Sequence, residues 1–404
     1  MSSARVRLVE RLFSDHVGID FSSTEVRVMR LRHTDAGMEP VTYKTVSWPG
    51  GVIAEGRIVD AARAVSCLKQ LRKDTGIRRA YAALPENLVA SELIIVPAHE
   101  HTNMRRVVRE HFVAAGTRAH TLIYDYRVVG HVSGGIAVQV FFADRIDVEA
   151  YIAVCTRAGI ALIGIEPRHA ALARAVTSAE EAYLVLIDIR DEDTAISMLA
   201  NGLPLVTHVA ECGGTTITAA IAQAHGVSHD TARTLRDKHG ITSKGEGAKA
   251  FQEVGEVLVR VEHMVNRALA YWYEQKSWHP SDASLGKFLL SGSVSTMPGL
   301  AEYLSGTLRH EIQEANVWQN CFSFEEVIPS ITKDKAAPYA AAIGLALAAK
   351  QSIVSLLPTA IEHAAVRQEQ VRYNIHKAFM IVASIVLAVL CAALAVVLYK
   401  YIAI

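Results

Sequence analysis

Twice in the chain an apolar run ends in aspartate, a short polar turn follows, and a second run of alternating apolar and polar residues leaves it. The first copy is Val17-Gly18-Ile19-Asp20-Phe21-Ser22-Ser23-Thr24, leading into residues 25–31; the second runs over 184–188, turns through 189–193 and leads into 194–200. Alternation of this kind predicts two β-hairpins, and their recurrence predicts two similar lobes. A turn that offers backbone N–H groups and small hydroxyls above a carboxylate can hold a phosphate, and two such turns can hold a hydrated magnesium ion between them. The pattern therefore predicts a nucleotide clamped in a cleft, with Asp20 and Asp188 contacting the metal through water.

Strand-like and helix-like patterns alternate over the first 350 residues, which predicts an α/β fold. Residues 60–75 carry helical spacing at Val65, Leu68 and Leu71, and 79–84 return to strand. Residues 88–164 read as an inserted subdomain, with strands at 92–96, 123–129 and 136–143 and helices at 103–115 and 148–158. The second lobe, about 191–330, contains Asn201-Gly202, a pair that tolerates positive φ and so favours a two-residue hairpin turn. Val254, Leu258, Val261, Val265, Ala268 and Trp272 mark one face of a long helix. A strand and glycine turn at Leu290-Ser291-Gly292-Ser293 precede Pro298-Gly299-Leu300, which opens a helix. Pro338 starts an alanine-rich helix in which Gly344 is expected to allow close packing against a strand. The folded domain spans 17–350, after a leader of 1–16.

Composition narrows the class. The chain has 404 residues, 51% of them hydrophobic, and a formal net charge of zero, which argues against a nucleic-acid binder. Arg105, Arg106 and Arg109 read as the solvated face of one helix. The cysteines Cys67, Cys155, Cys212, Cys321 and Cys391 form no CxxC pair, so a disulfide framework or structural zinc is not expected. There is no Walker A loop, HExxH motif or nucleophile elbow. Residues 378–398 carry no charge, and a helix of that length spans about 31 Å, enough to cross a bilayer core. Arg367, Arg372 and Lys377 precede this span and only Lys400 follows, so the large N-terminal part is expected to be cytoplasmic, on a single-pass protein of the inner membrane with a short tail at 399–404. Residues 1–16 lack the apolar run of a signal peptide.

In order along 17–350, these motifs resemble those of the PilM-type actin-like proteins of type IV pilus machinery, with more distant similarity to the cytoplasmic part of GspL of type II secretion and to the division protein FtsA. The matching pieces are the first phosphate turn, Ile165-Glu166-Pro167 with Ala171-Leu172-Ala173-Arg174, the turn at Asp188, Gly213-Gly214-Thr215-Thr216-Ile217, the turn at Leu290-Ser291-Gly292-Ser293, and the closing helix at 339–346. The resemblance implies a two-lobed actin-like (ribonuclease H-like) ATPase fold with an inserted subdomain and, here, one C-terminal transmembrane helix. It implies ATP and Mg2+ as ligands, with Asp20, Ser22, Ser23, Thr24, Arg27, Asp188, Arg190, Gly213, Gly214, Thr215, Arg233, Arg236, Gly292 and Ser293 around the nucleotide. Departures from the family pattern imply weak hydrolysis or none. Ser22 and Arg190 stand where the turns usually carry glycine, Ser293 stands where a second glycine is usual, and Arg233 and Arg236 replace a glutamate and a lysine that flank the nucleoside.

The tail extends the resemblance. Ile353-Val354-Ser355-Leu356-Leu357-Pro358, followed by Arg367 and the span, looks like the N-terminus of PilN, whose short apolar segment docks into a groove of PilM. Residues 351–377 are therefore expected to serve as a docking peptide through Ile353, Leu356, Leu357 and Pro358, then as a juxtamembrane stretch. The connection after Lys350 is short, and the sequence leaves open whether the groove filled is the chain's own or a neighbouring subunit's. The function implied is a membrane-anchored scaffold of the inner-membrane platform of a type IV pilus or related type II secretion system, with PilN/PilO-like proteins as partners and self-association. The alternatives are an FtsA-like polymerising ATPase tethered to the membrane, and a small-molecule kinase, for which no catalytic carboxylate is placed by motif.

Overall fold

The computed structural model describes residues 16–357 outside 98–102, 117–118, 133, 179–182, 242–244, 275–284 and 349–352, together with a few residues beyond 357. Residues 15–357 form one compact unit. Among the described residues no helix is long and apolar enough to cross a membrane, and the span expected at 378–398 falls largely outside them.

The first lobe opens with β1 (His16–Phe21), all six residues of which are buried, then β2 (Glu25–Thr34) and β3 (Gly37–Ser47). A two-stranded ribbon, β4 (Ile53–Ala54) and β5 (Arg57–Ile58), leads to α1 (Ala61–Thr75) and β6 (Arg79–Leu84). Helix α1 starts where the Asp60 side chain accepts the Arg63 backbone N–H and ends at Gly76 with φ of 67°, a start and stop set by local chemistry. Then come β7 (Val89–Val96), α2 (Met104–Ala114), β8 (Leu122–Val132) and β9 (Gly135–Asp144). Helix α3 (Arg145–Arg157), β10 (Ala161–Pro167) and α4 (Arg168–Val176) follow.

The second lobe repeats the first. It contains β11 (Tyr183–Ile189), β12 (Thr194–Ala200), β13 (Leu203–Ala210), α5 (Gly214–His225), α6 (His229–His239), α7 (Phe251–Glu274), β14 (Lys287–Ser291), α8 (Leu300–Leu308) and β15 (Ile312–Glu314). The closing helix is α9 (Ala340–Leu347).

Strand order gives the repeat its content. The first sheet runs β3-β2-β1-β6-β10 and the second β13-β12-β11-β14-β15. In each, three antiparallel strands are followed by two parallel ones, and β1 and β11 hold equivalent central places. Asp20 and Asp188 sit near the ends of these two strands, so the sequence repeat is a repeat of topology.

Of the segment 88–164, strands β7, β9 and β8 form a separate three-stranded sheet over α2, with its own core around Val108, Phe112 and Val138. Helix α3 instead buries Val148, Tyr151 and Val154 in the core of the first lobe, and β10 is the edge strand of that lobe's sheet. Helix α7 buries the expected face in the second lobe's core, including Val254, Leu258, Val261, Val265, Ala268 and Trp272. Between the sheets, α4 and α9 share a third core with residues of both lobes, among them Met29, Leu31, Leu172, Leu184, Leu186 and Ile343.

Two glycines set the spacing of this middle layer. A Cβ on Gly344 of α9 would stand 1.7 Å from the Ala171 carbonyl oxygen of α4, so the close approach made by Gly344 is to a helix and not to the strand expected from sequence. The strand contact is made by Gly18 of β1, where a Cβ would meet the Ala342 carbonyl oxygen at 2.0 Å. The hairpin turn at Asn201-Gly202 takes positive φ at both residues, 50° and 73°, as that pair allows.

Candidate functional site

The two hairpin turns line a cleft between the lobes, and its floor is a buried set of charges. Asp20 and Asp188 are each 2% exposed, and the 4% exposed guanidinium of Arg168, first residue of α4, lies between them. Its Nε donates to both Asp20 carboxylate oxygens at 3.1 and 3.2 Å. Its Nη1 donates to Asp188 Oδ2 at 2.6 Å and to Glu86 Oε1 at 3.3 Å. Arg190, on the second turn, donates through Nη1 to Glu86 Oε2 and through Nε to Asp193. Glu86 lies in a short 3-10 turn between β6 and β7. The network thus ties β1, this turn, α4 and β11 together. Asp188 Oδ1 has no hydrogen-bond partner among the described residues.

The electrostatics follow from this arrangement. Burial alone would push the Glu86 carboxyl up, but Arg190 and then Arg168 outweigh it and hold the group at about 2. Burial pulls the Arg168 guanidinium down, while Asp20, Asp188 and Glu86 more than offset that and keep it charged. The neighbouring His169 is buried with neither ring nitrogen partnered among the described residues, and burial lowers it to about 4.

The backbone groups of the turns are also engaged. Ser22 Oγ donates to the Glu25 carbonyl and accepts the Glu25 N–H at 3.1 Å, closing the first turn on itself. At the second turn the Arg190 N–H donates to the Asp193 carbonyl at 2.9 Å. The N–H groups of Gly214 and Thr215, which open α5, donate to the carbonyls of Arg190 and Asp191, each at 2.7 Å. A Cβ on Gly213 would stand 2.5 Å from the Arg190 carbonyl oxygen, so the glycine lets the turn lie against the helix start.

Ser22, Ser23, Thr24, Arg27 and Arg190 line a cavity of about 540 Å³ over this floor. A second cavity, about 420 Å³, is lined by Arg27, Arg233, Arg236, Ser293 and Tyr339. Arg27, buried and paired with Glu25 and, at 3.6 Å, with Asp191, borders both. Arg236 is buried, its Nη1 donating to the Gly214 carbonyl at 3.2 Å and to Thr218 Oγ1 at 3.0 Å, so it braces α5; Arg233 is exposed at the rim. Gly292, at φ of 100°, lets its turn approach the Ile189 carbonyl oxygen, 2.2 Å from where a Cβ would stand.

The second cavity has the size of an ordinary small-ligand pocket, roughly 300–1,000 Å³. The first cavity does not fit a magnesium ion. Asp20 and the near oxygen of Asp188 already receive a guanidinium, and a divalent cation beside Arg168 would face like charge in a buried site. Among the described residues no group of three or more His, Cys, Asp or Glu side chains is arranged to hold a metal.

The apolar tail lies against the first lobe of its own chain, one of the two arrangements that the sequence leaves open. The Leu356 N–H donates to the Ile165 carbonyl of edge strand β10 at 2.7 Å, and the Ser355 N–H to Asp125 Oδ2 of β8 at 2.8 Å. Leu356 and Leu357 are part of the first lobe's core, and Ile353 Cδ1 lies where a Cβ on Gly164 would be 2.8 Å away. Pro358 is half-buried.

Arg168 and Glu86 were not legible as site residues. A signal exists for Arg168: a cation at the first position of a helix opposes the helix dipole and needs anionic partners. Glu86 carries none, since it follows a strand and Pro85 in an ordinary turn.

Two lobes built on duplicated five-stranded sheets, facing each other over paired aspartate hairpins with a small inserted sheet, define the class as an actin-like ATPase fold. Residues 18–350 match the family described as type IV pilus assembly protein PilM, and the chain belongs to that family. Among solved structures it is similar to the PilM-PilN type IV pilus biogenesis complex, at 21% identity over 83% of this chain and 98% of that one, with a TM-score of 0.67. It is also similar to the ethanolamine utilization protein EutJ from Carboxydothermus hydrogenoformans, at 17% identity, 83% and 90% coverage and a TM-score of 0.51. A third is MreB5 of Spiroplasma citri bound to ADP, at 12% identity, 83% and 95% coverage and a TM-score of 0.51. At these identities the likeness is one of fold. No curated protein matches the chain.

Proposed function

We propose that this chain is the actin-like scaffold of the inner-membrane platform of a type IV pilus or related type II secretion system, held to the membrane by residues 378–398 and working through protein contacts. The observation that carries this reading is the seat of residues 353–357. A short apolar segment is hydrogen-bonded to the edge strand of the first lobe and completes its core, so the folded domain is joined directly to the stretch that leads to the apolar span. PilN/PilO-like proteins are the partners that fit this arrangement, through the span and through the cytoplasmic surfaces beside the seated tail. The alternative of a polymerising ATPase calls for a carboxylate pair free to take Mg2+, and here that pair is engaged by Arg168.

Fractionation of the native host tests the reading. The full chain is expected in the inner-membrane fraction, resistant to high salt and released by detergent, and its deletion is expected to abolish pili or type II secretion. Recovery of the full chain in the soluble fraction, or a deletion strain with unaltered pili and secretion, would overturn it.

A further inference from the structure

We propose that Arg168 is a resident cation: its guanidinium takes the place of a divalent metal between the two hairpin aspartates, so the lobes of this chain are clamped without magnesium or nucleotide. The placement is the first ground. One guanidinium reaches Asp20 of the first lobe and Asp188 of the second at once, with Glu86 as a third acceptor. A hydrated metal ion between two carboxylates does the same work, holding two like charges together and linking the elements that carry them. The planar five-donor fork of arginine does it with fixed geometry and cannot dissociate from the chain.

The surroundings are the second ground. Arg190 is spent on Glu86 and Asp193, and Arg27, which lines the same cavity, is paired with Glu25 and Asp191, so neither is free to receive a polyphosphate. The amides of Gly214 and Thr215 are bonded to the second turn. The same cavity is lined by Asp191, Glu192, Asp193 and Glu211, whose charge repels an anion that arrives without its metal. The contacts a metal-bound triphosphate would make are thus made inside the protein, between its own side chains and turns. The clamp is permanently closed by covalent sequence, where a ligand-dependent clamp opens when its ligand leaves.

The test uses the full chain in detergent, with thermal unfolding read in EDTA and in 10 mM MgCl2, about that concentration being ample for a millimolar carboxylate site. The wild type is expected to melt at the same temperature in both, with or without ATP. Arg168→Ala, which uncovers the carboxylate pair, is expected to melt lower in EDTA and to be raised by Mg2+ alone. A folded Arg168→Ala protein that does not respond to Mg2+ overturns the proposal. If that variant does not fold, calorimetric titration of the wild type with ATP decides: no heat of binding with either Mg2+ or EDTA supports it, and binding in either overturns it.

Discussion

At the scale of the residue, the buried charges decide how the cleft behaves. Removing one partner of a buried ion network leaves the others uncompensated, at about 3–5 kcal/mol. Arg168→Met is therefore expected to lower unfolding free energy by about that much in urea titrations, since Asp20, Asp188 and Glu86 all lose a donor. Acid should find the same place. The Glu86 carboxyl titrates at about 2 in the folded protein against 4.5 ordinarily, so its contribution is complete above pH 4.5 and is lost as pH falls through 2. The His169 imidazole is lowered from 6.5 to about 4, so the unfolded chain takes up its proton first and stability falls between those values as pH drops. Urea midpoints measured from pH 7 to pH 3 are expected to decline in both windows. His169→Phe should remove the decline between 6.5 and 4, and Glu86→Gln the one below 4.5, each from a lower starting stability. Glu86 is not visible as special in sequence, because its partners lie far along the chain: Arg190 is 104 positions away.

At the scale of the element, periodicity and turn chemistry carried most of the information. The hairpins at Asp20 and Asp188, the turn at Asn201-Gly202 and the buried face of α7 could all be read, because each depends on residues within a few positions of one another. Partner choice could not. Gly344 announced a close approach, but a missing side chain does not say what approaches, and the neighbour is α4. Gly344→Ala is expected to force α9 away from α4 and cost about 1–3 kcal/mol, read as a lower melting temperature, whereas an alanine at exposed Gly306, where nothing lies within 4 Å, should cost nothing of the kind. The tail shows the same limit. Its apolar residues marked it for docking, yet nothing in the sequence separated the chain's own groove from a neighbour's, and the chain's own edge strand β10 is the one covered. Leu356→Ala, at a fully buried position, is expected to cost about 2–5 kcal/mol and to speed proteolytic cleavage around residues 349–360.

At the scale of the whole molecule, the lobes are held by the middle layer, α4 and α9 packed between the two sheets, and by the Arg168 network at the cleft. A seated tail adds a third tie, from the end of the domain back to the edge of its first sheet. Because the contact is within one chain, protease protection of residues 353–357 is expected to be the same from nanomolar to micromolar protein; protection that disappears on dilution would instead indicate exchange between subunits. A free peptide with the sequence of 353–358 is expected to displace the tail only at concentrations approaching roughly millimolar, the effective concentration of a short tether.

The seat of Leu356 and Leu357 also has a consequence for stoichiometry. When a groove is filled by a separate protein, the fraction of filled sites varies with how much of each gene product the cell makes. Here the ratio of groove to occupant is fixed at one by translation itself, so neither over-expression nor dilution at cell division can leave the domain with an empty groove or a surplus peptide without a seat.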